Sequence, residues 1–114
     1  MGLRQQKLAD EIRDLLAMQF QGGRMADPRL QSVTITAVKV SPDLQIASVY
    51  FRVYEDDKVV DAEAGLKSAS GFLKKQLASN LDVRRVPELR FFFDKSVEEA
   101  NNIESLLQKL KDES

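Results

Sequence analysis

Five cations crowd the second half of the chain, at Lys67, Lys74, Lys75, Arg84 and Arg85, and three small residues, Ala69-Ser70-Gly71, lie among them. Lysine and arginine donate hydrogen bonds to phosphate oxygens, and glycine lets a ligand backbone come close. Such a set is suited to capturing a polyanion. Catalysis has poorer material. The chain has no histidine and no cysteine, which removes the commonest general base, the usual metal ligands and the thiol nucleophile together. The cluster Glu55-Asp56-Asp57, with Asp61 behind it, reads as an acidic loop rather than a Mg²⁺ site, and its spacing supports no metal-dependent enzyme.

The net charge of −1 over 114 residues conceals a strong segregation. Residues 66–95 carry +4, while residues 52–65 and 96–114 carry −3 each. A basic third between two acidic stretches is the footprint of a polyanion-binding face. Solvated helix faces also collect lysines, and that is the plain alternative for Lys74 and Lys75.

One helix must position most of these residues. From Asp61 to Leu81 the apolar residues fall at Ala62, Leu66, Ala69, Leu73, Leu77 and Leu81, the spacing of one buried helical face. Ser70-Gly71 interrupts it, and a Gly/Ser pair is a frequent kink site. Two readings follow. Small side chains let another backbone pack closely, or two helices meet at a joint whose outward N–H groups can meet a phosphate. The basic residues that follow favour the joint.

The remaining elements follow from periodicity. Residues 4–20 place Leu8, Ile12, Leu15 and Leu16 on one helical face, ended by Gly22-Gly23. Val33–Val40 is rich in β-branched residues, but its alternation slips, and a bulge near Thr36-Ala37 would bury both Val33/Ile35 and Val38/Val40. After the turn Ser41-Pro42-Asp43, the next strand alternates cleanly, with Ala47, Val49, Phe51 and Val53 on one face. Leu89–Phe93 is a third strand, in which Phe91 and a neighbour read as core and Phe92 as an exposed stacker. Ser96-Val97-Glu98-Glu99 matches a capping box before a final apolar stripe. Asp27-Pro28-Arg29 reads as a turn that leaves Arg29 available to a phosphate.

The sum is an α+β domain over residues 1–114, with a core at about 4–95 and a C-terminal helix or tail at 96–114. Three strands form one sheet, covered by helices on one face. The order helix, strand, strand, helix, kink, helix, strand, helix is that of a type II KH-like domain. KH modules clamp single-stranded nucleic acid at a Gly-x-x-Gly loop; here the Ala-x-Gly of Ala69-Ser70-Gly71 replaces it.

That replacement carries a resemblance. Asp27-Pro28-Arg29-Leu30, Val33-Thr34-Ile35-Thr36, Val40-Ser41-Pro42-Asp43-Leu44, Ala69-Ser70-Gly71-Phe72-Leu73-Lys74 and Val86-Pro87-Glu88-Leu89-Arg90-Phe91 stand in this order along nearly the whole chain. Together they resemble the ribosome-binding factor A family of bacterial small-subunit assembly factors. The resemblance implies a non-enzymatic protein that binds 16S rRNA in free 30S subunits, acts late in maturation and matters most in the cold. It implies a monomer with no cofactor, no small-molecule substrate and no membrane partner. RNA contacts are then expected from Lys67, Ala69, Ser70, Gly71, Lys74, Lys75, Arg84 and Arg85. With no cysteine, no long apolar run and no signal-peptide core, a reducing cytoplasm is the expected location. The rival reading is a KH-like protein–protein adaptor whose basic face meets an acidic partner.

Overall fold

Clean alternation places the second strand at the centre of the protein. It becomes β2 (Ile46–Arg52), the middle of a three-stranded sheet ordered β1-β2-β3. In this computed structural model, which describes residues 2–21 and 25–112, Ala47, Val49 and Phe51 are fully buried, and Val53 just beyond the strand is buried too. β1 (Thr34–Val40) pairs with β2 antiparallel, and β3 (Glu88–Phe93) pairs with it in parallel.

The slipped alternation of β1 is resolved by a bulge. Register passes from Ile35↔Phe51 to Ala37↔Tyr50, leaving Thr36 as the extra residue. Ile35 and Val40 therefore both face the core, Val33 is buried just before the strand, and Val38 packs on the core from its margin. The hairpin turn is held by Ser41 and Asp43: the Ser41 hydroxyl donates to Asp43 Oδ1 at 2.7 Å, and the Gln45 N–H donates to the same oxygen at 3.1 Å. Those two donors hold the Asp43 carboxyl below the usual carboxylate range, the hydroxyl contributing most. The turn fixes Leu44 at a φ of 62°, a left-handed conformation costing about 1–2 kcal/mol. Its side chain packing against the core helps offset that strain.

Two helices cover one face of the sheet. α1 (Leu3–Phe20) buries Leu8, Ala9, Ile12, Leu16 and Phe20 and packs on β1, with Leu15 partly buried at the edge of the stripe. The expected stop at Gly22-Gly23 lies outside the described residues. α2 (Val59–Asn80) crosses from β2 to β3, as a parallel pair requires, and packs against β3.

The expected joint is corrected here. α2 is one continuous helix of 22 residues, running unbroken through Ser70-Gly71. The reason is energetic. A glycine in mid-helix costs about 0.5–1 kcal/mol, whereas each of Leu66, Leu73 and Leu77, buried on the same stripe, contributes roughly 1.5–3 kcal/mol. Ser70 also bonds within the helix, its hydroxyl donating to the Lys67 carbonyl at 2.9 Å. No fresh helix N-terminus exists at this point to receive a phosphate.

The last helix, α3 (Ser96–Asp112), buries no residue. It is anchored at its start. Arg52 makes a paired contact with Glu98 (2.9 and 3.0 Å) and donates to the Asp94 carbonyl at 2.6 Å. The Asp94 carboxylate accepts from the Thr36 hydroxyl at 2.6 Å and from the Ser96 N–H at 2.9 Å. It thus fills the acceptor role that the capping-box motif assigned to Ser96. The Thr36 hydroxyl, then Ser96, keep the Asp94 carboxyl below its ordinary range, and Arg52 does the same for Glu98.

Candidate nucleic-acid interface

The buried stripe of α2 decides where its lysines point. With Ala62, Gly65, Leu66, Leu73 and Leu77 turned inward, Lys67, Lys74 and Lys75 are all exposed. Leu81 closes the helix with its N–H on the Leu77 carbonyl, and the chain beyond it runs as an exposed loop through Asp82, Val83, Arg84 and Arg85 before Pro87 is buried.

Three depressions collect the basic residues. Gly71, Lys74, Lys75 and Arg84 line one of them, between the outer side of α2 and the following loop, and no carboxylate lines it. Lys67 and Ser70 line a second groove on the other flank of α2, against β3, together with Arg90, Phe92, Lys95 and one carboxylate, Glu63. Arg84 and Arg85 border a third, where Arg4 and Lys7 of α1 join them. Glu11, Asp43 and Asp82 share that third depression, so its charge is nearly balanced. Ala69 is half-buried and packs against the core. The eight residues expected from sequence therefore form no single cluster. Gly71, Lys74, Lys75 and Arg84 come together, and Arg84 links them to Arg85.

Arg4 and Lys7 escaped the sequence reading because only the packing of α1 beside the 82–86 loop brings them there. Arg29 stands differently from its expected availability. Its backbone N–H and its guanidinium are held by Asp27, at 2.9 and 2.7 Å, across a single 3-10 turn, Pro28–Leu30. The Arg29 hydrogen bonds keep the Asp27 carboxyl below the usual range. Among the described residues no group of three carboxylates is placed to hold a metal ion.

The two glycines of α2 have opposite surroundings. A Cβ on Gly71 would meet nothing within 4 Å, so no part of the domain needs a glycine there. A Cβ on Gly65 would lie 3.0 Å from Leu30 Cδ2 and 3.2 Å from Arg29 Cβ. Close packing is thus real but sits at Gly65, about one and a half turns before the Ser70-Gly71 pair, where the Pro28–Leu30 turn presses on the helix. Gly71→Ala is expected to stabilise the free protein by about 0.4–1 kcal/mol through chain entropy. Gly65→Val is expected to destabilise it by about 1–3 kcal/mol through overpacking. Thermal melts of the two variants check this, and a shift of both in the same direction contradicts it.

Comparison with known proteins adds a family. A family model described as ribosome-binding factor A matches residues 4–107. A ribosome-binding factor A of Leuconostoc citreum is 43% identical over 107 residues, covering 91% of this chain and 90% of that protein. The protein of that name from Geobacter sulfurreducens is 39% identical over 111 residues, covering 96% and 93%. Among solved structures, the crystal structure of ribosome-binding factor A from Thermus thermophilus superposes with a TM-score of 0.70 at 30% identity, covering 81% of this chain and 97% of that one. A Thermus thermophilus ribosome binding factor A homology model, fitted into the cryo-EM map of a 30S complex, matches with a TM-score of 0.64 at 30% identity, over 76% and 91% of the two chains.

Proposed function

We propose that this chain, which belongs to the ribosome-binding factor A family, binds 16S rRNA in free small ribosomal subunits and assists their late maturation, including processing of the 5′ end. It acts as a binding protein and not as an enzyme, as a cytoplasmic monomer without a cofactor or small-molecule substrate. The observation that carries this reading is the carboxylate-free depression of Gly71, Lys74, Lys75 and Arg84. Three cations there neutralise phosphates and release counterions, which gives strong, salt-dependent affinity. The open surface over Gly71 lets the RNA backbone approach the helix, the role a Gly-x-x-Gly loop serves in a KH module. Because α2 is unbroken, the phosphate contacts come from side chains and not from a free helix end.

Binding alone is enough for the work. A protein with higher affinity for one rRNA arrangement shifts the population toward it without consuming energy. Misfolded rRNA escapes its helices more slowly in the cold, so the assistance matters most there. In cells that lack the protein, primer extension across the 5′ end of 16S rRNA after a shift to low temperature is expected to reveal extended precursor. Fully processed ends at wild-type growth rate would contradict the reading.

A further inference from the structure

The sheet face turned away from α1 and α2 carries an aromatic pair among cations. Strand register sets Ala37, Tyr50 and Phe92 in one row across this face, and Lys39, Ser48 and Arg90 in the next. The Tyr50 and Phe92 rings are 5.7 Å apart between centroids and tilted by 33°. Lys39 Nζ stands 5.6 Å from the Tyr50 centroid, within reach of a cation–π contact. Phe92 is 44% exposed, and α3, the one helix on neither buried layer, buries no residue against it.

We infer that the Tyr50–Phe92 pair is a stacking platform for an unpaired base of single-stranded RNA, with Lys39 and Arg90 meeting the adjoining phosphates. The inference rests on the RNA-binding reading above and assigns it a second surface on the open side of the sheet. Charge complementarity selects the occupant. Two rings bordered by a row of cations suit a base and its phosphates, because every base has a π-face and every linkage carries a negative charge. The rows are two residues apart along the strands, roughly 6–7 Å, the reach from a stacked base to its backbone. Arg90 is now paired with Glu88 at 2.8 Å, so a phosphate would share or take over that guanidinium. The platform also adjoins the second groove, on the β3 flank of α2. β3 is an edge strand, and Phe92 lines the α2–β3 groove that holds Lys67, Ser70 and Lys95. An RNA strand lying in that groove can place a base around the strand edge.

The test uses the full chain and a uridylate octamer at low salt. In aromatic NMR spectra, the ring protons of Tyr50 and Phe92 are expected to move upfield as the octamer binds. Phe92→Leu is expected to lower octamer affinity by about fivefold or more in fluorescence anisotropy, with its melting temperature near that of the parent. Lys39→Glu supplies an independent arm, with a salt slope shallower by about one unit. Binding of the octamer with unmoved ring signals and undiminished affinity of Phe92→Leu overturns the platform and leaves the helix-face reading intact. Absence of octamer binding altogether overturns both. Contacts from Ile103 or Leu107 to the Phe92 ring with RNA present also overturn it, because the chain's own helix would then cover the face.

Discussion

Lys74→Glu/Lys75→Glu weakens binding to small ribosomal subunits by about tenfold or more at low salt and leaves the fold intact. Both side chains are exposed, and the buried stripe of α2 lies elsewhere. Surface changes of this kind usually move stability by only about 0.5 kcal/mol. The effect on binding is large because the two lysines stand in a depression lined by three cations and no carboxylate. Each phosphate contact that is lost should make the dependence of log affinity on log salt shallower by about one unit. Filter binding at two salt concentrations measures this slope. An unchanged slope would remove both lysines from the interface.

The second large effect is in the cell. A strain whose only copy carries Arg84→Glu/Arg85→Glu grows in the cold as poorly as a deletion strain, yet close to normally when warm. Arg84 borders two of the three basic depressions, and Arg85 meets Arg4 and Lys7 in one of them. Reversing both charges therefore weakens the surface at its hinge between α2 and α1. Both residues lie on an exposed loop, so the core is untouched. On the proposed reading, warm rRNA is expected to escape its traps unaided, so growth is expected to recover without the protein. Growth curves at two temperatures, read beside gradient profiles of free small subunits, check this. Full growth in the cold would contradict it.

Much of the fold was legible because burial imposes short periods. The Ala47–Val53 alternation located the central strand, and the slipped phase of Val33–Val40 located its bulge to within a residue. The stripe Ala62–Leu77 located α2. What misled was a local signal weighed without its neighbours. Ser70-Gly71 looked like a break, but the leucines on either side hold the helix together at a cost smaller than their burial. Nothing local marked Gly65, because the Pro28–Leu30 turn that packs on it is distant in sequence. The candidate interface was legible as a list of cations but not as a shape. Its division into three depressions, and the arrival of Arg4 and Lys7, depend on tertiary packing. The Tyr50–Phe92 pair likewise needed the parallel register of β2 and β3, which no single strand encodes.

Sedimentation of the protein with gradient-separated ribosomal particles decides whether it binds free small subunits through their rRNA. The protein is expected to be enriched on free small subunits and nearly absent from full ribosomes, and Lys74→Glu/Lys75→Glu is expected to lose the small-subunit signal. Equal recovery on full ribosomes, or a small-subunit partner that still captures the protein after complete nuclease digestion of its rRNA, would contradict it.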